Sequence, residues 1–581
     1  FTDLYAMSTP DVFVITGQQL MEDAQSYASF HQSNGFTVEV VDIADVFSNF
    51  SGGVTDFAAI RNFMAHHHQK SDGALSYLTI YGDASVYAEG DRFVVPAYQS
   101  SEVWMNYMLE GGDRYFAYLD DGETFSDSDA DMDIAVGRIP VATREEAAMF
   151  NQKLINYNQD RGDFQISMSL VADDEDAGVH MNIQEETFAI VDDYAKSMNI
   201  HKIYLDQYPQ ETQGEQQVSP LAQQALAGAF ERGDIILDFM GHGGHSGWAH
   251  EQMLTVDVVN SLENEHYPFV LFPSKQNFYH PETASLAEQL LIQQNGAIAC
   301  LSSTENSFSQ SWNNFKSLLH QAVFEEGIVT HGLAMKYAYN HGYGTSVGSY
   351  CLLGDPLMSF PFPANEILTE SINETDVESV DTLFINEPYT VEASVYDDNG
   401  IVTSFDGTAR VKVFAPVHQQ TTLGTDQEPF TYMLSDSLLS DQQVEVTNGV
   451  FESTFSLPAN YNFSPGNIKL SYFAMNEYES AAGYEELFTV SQASGLNEQE
   501  NIRFKVYPTI TNSDIIIEIG SSNENGYLEI LNLQGNCLHR QQIGNSGGSR
   551  INLSLSDYAP GMYIVRLLGR DSMKMKKIIR K

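Results

Sequence analysis

Among the side chains of this chain, His242 has the residue type and the setting for chemistry. It lies in the segment "DFMGHGGHSGWAHE", directly after a buried apolar run. Gly241, Gly243 and Gly244 allow the backbone to turn sharply there, which predicts that His242 is exposed at the end of a strand. An imidazole in such a place can carry a proton near neutral pH. This loop is therefore a candidate catalytic or binding segment.

The next buried strand ends in a second chemical candidate. The apolar run Pro268–Phe272 stops at a proline followed by Ser274 and Lys275. If His242 is a general base, cysteine is its natural partner, because a neighbouring imidazolium lowers the pKa of a thiol. Ser–Lys pairs also serve as hydrolytic machinery, but adjacent side chains in an extended segment point to opposite faces. A working Ser274–Lys275 pair is therefore the less favoured hypothesis.

A zinc site is an alternative use of the same loop. Three histidines and an acid lie close together there: His242, His245, His250 and Glu251. Imidazole and carboxylate groups are zinc ligands. The spacing does not match the helical H-E-x-x-H pattern, however, and the glycines disfavour a helix. An incidental histidine in a glycine-rich turn is the remaining structural interpretation.

The elements that must position these residues are alternating strands and helices. Over roughly the first 360 residues, buried strands such as "VFVITG", "LSYLTIYGDAS" and "DIILDFMG" are bracketed by helical patterns, and the rhythm restarts near residues 160–164. This predicts two adjacent α/β units with mostly parallel sheets. Ligands gather beyond the carboxyl ends of such strands. Asp83, Asp173 and Asp174 occupy similar positions and are further candidates.

The second part of the chain predicts β-structure only. Short alternating strands follow "LLGDP", helical periodicity is absent, and the polar "SQASGLNEQEN" has the composition of a linker. We therefore predict two α/β subdomains, an immunoglobulin-like β-sandwich and a C-terminal β-sandwich. The predicted boundaries are 1–163, 164–363, 364–491 and 492–581.

Composition excludes several classes of protein. The chain has 581 residues, with 79 acidic against 28 basic side chains and a formal net charge of −51. Such a surface repels phosphate backbones, so nucleic acid is not an expected partner. No apolar run reaches the roughly 18–20 residues that a transmembrane helix needs. The chain begins with Phe1 instead of Met, and we expect a mature form whose targeting segment has been removed.

The cysteines do not supply an obvious nucleophile. There are three, Cys300, Cys351 and Cys537. A low, odd number does not indicate a disulfide framework. Each lies in an apolar, strand-like context, which predicts buried structural cysteines.

Several long motifs resemble a known family. The segments "GHGG", "SGWAHE", "PFVLF", "PETASLAEQLL", "GAIA" and "LLGDP", with "FSGGVTDFAAIRNFM" and "DMDIAVGRIPV", resemble the gingipain-type (C25) cysteine peptidases of caspase-like fold, and among them the type IX secretion sortases. The resemblance covers roughly residues 10–362. The final 80 or so residues, with "VYPTITN", "LEILNLQG" and "APGMYIVRL", resemble the C-terminal sorting domain of type IX cargo.

The resemblance implies a Cys–His dyad, and the chain departs from it at the nucleophile. The family histidine corresponds to His242, and the family cysteine position is occupied by Lys275, with Ser274 one residue before. Three hypotheses follow. The chain is a catalytically defective homologue that binds proteins; it has an unusual serine-type site; or the natural protein is an active cysteine endopeptidase or transpeptidase that removes sorting domains and attaches cargo to surface lipopolysaccharide. We favour the first.

The resemblance also implies partners, place and cofactor. We expect a secreted protein at the cell surface or the extracellular side of the outer membrane, associated through type IX outer-membrane components or cargo sorting domains. A surface-anchored, scaffold-like cargo protein is a further alternative. Gingipain-like peptidases bind calcium, and the chain is rich in carboxylates that suit it, with no ligands assigned. No organic cofactor is expected.

Overall fold

The structure is a computed structural model of the chain. It describes residues 2–71, 73–85, 90–104, 108–123, 130–214, 216–245, 247–275, 283–304, 307–342, 350–425, 427–459, 461, 463–491, 504–511, 513–519, 526–532, 537–543, 549–556, 558–568 and 573–581. Within these ranges, the side chains of residues 99–104, 108–111, 274–275, 510, 549 and 573–574 are outside the description.

The described chain packs as two compact units. The first comprises residues 1–377 and 386–490, and the second comprises residues 378–385 and 491–581. The finer division into four domains stays a prediction.

The α/β part of the first unit contains ten described α-helices. They are α1 (Met21–Ser33), α2 (Ile43–Phe50), α3 (Ala58–Lys70), α4 (Arg144–Gln159), α5 (Val179–Tyr194), α6 (Pro220–Arg232), α7 (Val256–Asn260), α8 (Leu286–Ile292), α9 (Ser309–Phe324) and α10 (His331–His341). Capping boxes start α4, where Thr143 pairs with Glu146, and α8, where Ser285 pairs with Glu288. Each box satisfies backbone N–H groups that a helix leaves open at its start.

The strands of the α/β part alternate with its helices, as predicted. They are β1 (Val12–Thr16), β2 (Val38–Asp42), β3 (Tyr77–Tyr81), β4 (Gln99–Trp104), β5 (Met108–Gly111), β6 (Ala135–Ile139), β7 (Ser167–Ala172), β8 (Asn199–Tyr204), β9 (Glu211–Gln213), β10 (Gln216–Val218), β11 (Ile236–Met240), β12 (Gly243–Gly244), β13 (Gly247–Trp248), β14 (Leu254–Thr255), β15 (Phe269–Lys275), β16 (Ala299–Ser303) and β17 (Tyr350–Gly354).

One sheet of ten described strands runs through both predicted α/β units. Its order is β2-β1-β3-β6-β17-β16-β15-β11-β7-β8, and only the β16–β17 pair is antiparallel among these neighbours. The expectation of mostly parallel strands is confirmed, but the two predicted units share one sheet instead of having a sheet each. The junction is the pairing of β6 with β17, at Arg138 and Leu353. Strands from distant parts of the sequence meet there, which local periodicity does not reveal.

The sheet is the centre of the hydrophobic core. Every residue of β1, β3, β7 and β11 is buried. Burial of both faces is what helices on both sides of a parallel sheet require. The strands β7, β11 and β15 are parallel neighbours. Their carboxyl ends therefore lie side by side at one edge of the sheet.

The rest of the first unit is β-structure. Its described strands are β18 (Asn365–Ile372), β19 (Thr375–Asp376), β20 (Thr382–Phe384), β21 (Pro388–Asp397), β22 (Gly400–Ile401), β23 (Gly407–Phe414), β24 (His418–Thr421), β25 (Thr431–Leu434), β26 (Leu438–Val446), β27 (Val450–Ser456), β28 (Lys469–Met475), β29 (Ser480–Glu485) and β30 (Thr489–Ser491), of which β20 and the end of β30 fall in the second unit. Nine of them form one sheet, in which only β18 and β29 pair in parallel. The immunoglobulin-like arrangement stays a prediction.

The second unit is also built of strands in its described residues. They are β31 (Phe504–Tyr507), β32 (Ile510–Thr511), β33 (Asp514–Ile519), β34 (Gly526–Leu531), β35 (Cys537–Ile543), β36 (Ser549–Ser554), β37 (Gly561–Leu568) and β38 (Met573–Arg580). They form a three-stranded sheet and a five-stranded sheet around a core that includes Val506, Ile517, Leu528 and Val565.

One cysteine prediction is wrong. Cys300 and Cys351 are buried, as expected, but Cys537 is exposed. Its strand β35 lies at the edge of the five-stranded sheet, and most of that strand faces solvent. The apolar sequence around Cys537 therefore predicted more burial than an edge strand has.

No helix in the described part of the chain is long and apolar enough to cross a bilayer.

Candidate functional site

The site is built on the carboxyl ends of β7 and β11. These strands pair in parallel, with Ala172 opposite Met240. Asp173 therefore comes level with Gly241, and its backbone N–H donates to the carbonyl of Met240 at 3.1 Å. His242 follows one residue later. The prediction that polar residues at strand ends gather at one edge is confirmed for Asp173 and His242.

Gly241 is needed for close approach to Asp173, and not for a left-handed turn. A Cβ at Gly241 would lie 2.6 Å from Cγ of Asp173 and 2.6 Å from the ring of Phe239. Gly243 and Gly244 form the short strand β12, which pairs with β13. Among the described residues of this loop, the left-handed ones are Ala249, with φ of 56°, and Gln252, with φ of 57°. The backbone bends at Gly241, as the sequence predicted, whereas Gly243 and Gly244 are extended.

Asp173 holds two histidines at once. Its Oδ2 accepts the backbone N–H of His242 at 2.6 Å and lies 3.0 Å from Nδ1 of the same residue. Its Oδ1 accepts a short hydrogen bond from Nδ1 of His180. The Asp173 side chain is 1% exposed, while that of His242 is 42% exposed. A buried carboxylate thus fixes the orientation of a half-exposed imidazole.

Further acids surround His242. Oε2 of Glu175 lies 2.8 Å from Nδ1 of His242, and Oδ2 of Asp176 lies 3.8 Å from its Nε2. The other Glu175 oxygen accepts from Nδ1 of His250. The hydrogen bond to Asp173, helped by the charges of Asp173, Glu175 and Asp176, raises the pKa of His242 to about 9. Burial would raise the pKa of Asp173, but the hydrogen bonds from His180 and His242 outweigh it and lower the value to about 2.

The loop between β7 and α5 has an unusual backbone. Asp176, Ala177 and Gly178 have φ of 56°, 54° and 79°. Left-handed conformations cost about 1–3 kcal/mol each at residues other than glycine. The turn brings His180, in the first helical turn of α5, back onto Asp173. His180 was not among the residues predicted from the sequence; the signal for it is a histidine that opens a helix directly after an acidic loop at a strand end.

The neighbouring acids Asp174 and Glu251 form a separate buried pair. Asp174 is fully buried and Glu251 is 3% exposed. Burial, and then the charge of Glu251, raise the pKa of Asp174 to about 7. Burial also raises the pKa of Glu251. Oδ1 of Asp174 and Oε2 of Glu251 are buried with no hydrogen-bond partner among the described atoms. Their oxygens fit the hard donors that calcium prefers.

The backbone of Lys275 lies where the family resemblance expects the nucleophile. In the parallel pairing of β11 and β15, Asp238 is opposite Leu271. Beyond this pairing β15 has a bulge, since Phe272 pairs with Ser302 and Lys275 already pairs with Ser303, so the backbone of Lys275 comes level with Met240, close to the start of the His242 loop. Residue 275 ends β15 and pairs with Ser303 across a register shift. The side chains of Ser274 and Lys275 are outside the described residues.

The described thiols of this region lie away from His242. Cys300 pairs with Val270, which is level with Leu237, so it lies at least about 10 Å behind His242 along the strand direction. Cys351 lies on β17, three strand spacings from β11, or about 14 Å across the sheet. Burial raises the pKa of the Cys300 thiol well above its usual range.

The other candidates have separate surroundings. Asp83 is buried and paired with Arg92, which also reaches Glu146 at 2.9 Å. Of the four residues weighed for zinc, His242 and His250 share Glu175, whereas Glu251 interacts with Asp174. Around His242, the carboxylates that lie beside histidines are therefore those of Asp173, Glu175 and Asp176. The acidic runs 120–121, 127–133 and 173–176 are the sequence candidates for calcium binding, and residues 127–129 among them are outside the described part.

A histidine oriented by a buried carboxylate at the carboxyl edge of a parallel sheet is an arrangement typical of hydrolases. The family described as peptidase family C25 matches residues 5–361, and this chain belongs to it. A secretion-system C-terminal sorting domain matches residues 505–581. The family resemblance expected from the sequence is thus confirmed.

Solved structures of low identity are also similar. The Arg-specific cysteine proteinase gingipain R (RgpB) is 15% identical, with a TM-score of 0.49, over 84% of this chain and 100% of that chain. A complex of the pro- and mature domains of Porphyromonas gingivalis RgpB is 15% identical, with a TM-score of 0.49, over 83% of this chain and 100% of that chain. Latent dimeric PorU from Porphyromonas gingivalis is 17% identical, with a TM-score of 0.39, over 100% of this chain and 55% of that chain. No curated protein matches this chain.

Proposed function

We propose that this chain is a catalytically defective C25 homologue of the type IX secretion pathway that acts by binding proteins at the cell surface. The observation that carries the proposal is the position of Lys275, which ends β15, the strand that pairs in parallel with β11 just before His242. The full sequence contains three cysteines. The two within the matched family region are buried in strands away from His242. Without a thiolate beside the histidine, the cysteine-peptidase step lacks its nucleophile.

The expected binding partner is the sorting domain of a cargo protein, or an outer-membrane component of the pathway. The chain carries a net charge of −51. A sorting domain like that of this chain ends in a basic strand, here "KMKKIIRK". Opposite charges speed association and favour the correct orientation. The cleft beside His242, of about 600 Å³ and lined by Gly243, His250 and Thr255 among others, is available for a peptide segment.

The alternative is an active cysteine-type endopeptidase or transpeptidase. The pairing of His242 with Asp173 favours it, because a carboxylate that orients an imidazole is the support that a catalytic base uses. On this alternative the enzyme would remove sorting domains and attach cargo to surface lipopolysaccharide.

Incubation of the full chain with a cargo protein that ends in a sorting domain distinguishes the two. We expect binding in biolayer interferometry and no cleavage by mass spectrometry. Binding should weaken as salt is raised, because surface charges are screened. Cleavage by the wild type that is lost in His242→Ala would overturn the proposal and establish the alternative.

We further propose calcium as a cofactor held by Asp174 and Glu251. The two unpartnered oxygens of this buried pair support the assignment. A bound cation would neutralise two carboxylates that otherwise repel each other. Calcium would therefore stabilise the fold, with no role in proton transfer.

Calcium removal is expected to lower the melting temperature of the full chain. Free calcium at about 100 times its Kd stabilises a protein by about 2.7 kcal/mol. The calcium-dependent rise in Tm should disappear in Asp174→Asn/Glu251→Gln, measured by scanning fluorimetry with EGTA or CaCl₂. The exposed pair Asp398→Asn/Glu145→Gln is the matched control and should keep the rise. An unchanged rise in the first variant would place calcium elsewhere.

A further inference from the structure

We propose that His180, His242 and Asp176 form a binding site for a divalent transition-metal ion of the zinc type. The site does not depend on the proposed protein-binding function, since it requires neither a nucleophile nor a substrate. It also differs from the zinc set considered from the sequence, because only His242 is shared, and His180 and Asp176 stand in place of His245, His250 and Glu251.

The carboxylate of Asp176 lies beside the Nε2 atoms of both histidines. Nε2 of His180 lies 3.5 Å from Oδ2 of Asp176, and Nε2 of His242 lies 3.8 Å from the same oxygen. Ligands of a tetrahedral zinc with bonds of about 2.0–2.1 Å are separated by about 3.3 Å. Both separations are a few tenths of an ångström longer. A small movement of the Asp176 side chain, which is 54% exposed, would shorten both distances.

Asp173 orients both histidines for this role. It accepts from Nδ1 of His180 and from Nδ1 of His242, so each ring keeps Nε2 for a ligand. Metal-binding histidines usually donate their other ring nitrogen to a carboxylate in this way. The two ring centroids are 5.1 Å apart at an angle of 74°. Donor atoms of Asp173, His180 and His242 all lie within 4.8 Å of one another.

The donor set selects the kind of ion. Two imidazoles and one carboxylate suit zinc and its neighbours among the transition metals, whereas calcium prefers oxygen ligands alone. Three protein ligands leave a fourth position of a tetrahedral ion for an outside group. His242 lines the cleft beside β12, so that position is accessible to a ligand in the cleft.

The test is a titration of the full chain with zinc alone, after EDTA treatment and dialysis. We expect one tightly bound zinc ion per chain by isothermal titration calorimetry. Cobalt at the same site should give the intense visible absorption of tetrahedral Co²⁺. Excess CaCl₂ should not displace either ion, and displacement by calcium would overturn the assignment.

Two variants assign the ligands. Asp176→Asn/His242→Gln changes partly exposed side chains and should lose the tight ion and the cobalt spectrum while keeping its Tm within a few degrees. Asp173→Asn should retain the ligands and weaken the zinc affinity by about 10–100-fold. His341→Gln/Asp398→Asn, an exposed pair elsewhere in the first unit, should bind as the wild type does.

Wild-type affinity in the ligand variant would overturn the proposal, as would the absence of a tight ion in the wild type. Neither outcome depends on cleavage or on cargo binding. The metal site and the protein-binding proposal can therefore fail separately.

Discussion

Lys275→Cys is expected to restore peptidase chemistry to this chain. The substitution places a thiol at the carboxyl end of β15, the strand that pairs in parallel with β11 just before His242. Asp173 already orients the histidine, and the cleft lies beside it. General-base assistance is typically worth about 10²–10⁴-fold in rate. The rate at which Lys275→Cys cleaves a cargo protein at its sorting domain should therefore exceed the wild-type rate by about 10²–10⁴-fold.

Thiol reactivity gives a second measurement that does not depend on finding the right substrate. An imidazolium neighbour lowers a thiol pKa from about 8.5 to as little as 3.5–7.5. Iodoacetamide at pH 6 should thus alkylate the introduced thiol about 10–100-fold faster than in Lys275→Cys/His242→Ala. EDTA in the buffer keeps metal ions off the histidines. Mass spectrometry should show Cys300 and Cys351 unmodified, since both are buried.

Lys275→Ala is the matched control for the loss of the lysine charge alone. It should neither cleave nor gain a reactive thiol. Equal alkylation rates with and without His242 would show that residue 275 does not face the histidine. The chain would then be defective through its geometry as well as through its missing nucleophile.

The strand ends of the site could be predicted from the sequence, because the rules involved are local. A buried apolar run followed by glycine and histidine marks the end of β11, and the acidic "ADDED" marks the end of β7. In a parallel sheet such ends share an edge. Asp173 and His242 were both found in this way.

The remainder of the site depends on contacts that no local pattern encodes. His180 reaches Asp173 only because Asp176, Ala177 and Gly178 adopt consecutive left-handed conformations, which L-residues other than glycine disfavour. Glu251 meets Asp174 across two loops. Likewise, β17 inserts between β6 and β16, which joins two α/β segments in one sheet. The apolar periodicity shows that strands exist and leaves their order open.

Arg138→Met is expected to destabilise the first unit by about 3–5 kcal/mol, which is the usual cost of removing one partner of a buried ion pair. Arg138 lies in β6 with a fully buried side chain. Its Nε and Nη2 donate to the two oxygens of Asp113, each at 2.7 Å. It also donates to the carbonyls of Gly82 and Val95 at 2.7 Å and 3.0 Å. The Arg138 guanidinium therefore links, by hydrogen bonds, the segment that follows β3 to the segment that contains Asp113.

The substitution leaves the buried carboxylate of Asp113 without its main counter-charge, and that desolvated anion is the source of the cost. Urea unfolding followed by circular dichroism should show a lower urea midpoint for the unfolding of the first unit. Arg138→Lys should fall between wild type and Arg138→Met, because an ammonium group cannot make the bidentate contact. Arg144→Met is the matched control: Arg144 is 59% exposed and pairs with Glu22 at the surface, so its loss should leave the midpoint nearly unchanged.

The double variant Arg138→Met/Asp113→Leu distinguishes two causes of the lost stability. One is the unpaired buried charge of Asp113, and the other is the loss of the hydrogen bonds from Arg138 to backbone carbonyls. Removing both charges abolishes the unpaired anion, and buried pairs replaced by apolar groups are often neutral in stability. If charge burial dominates, the double variant should be more stable than Arg138→Met. If it is equally unstable, the carbonyl contacts of Arg138 to Gly82 and Val95 carry the stability. The guanidinium would then act chiefly to hold these loops at the carboxyl edge of the sheet, the edge that carries His242 further along.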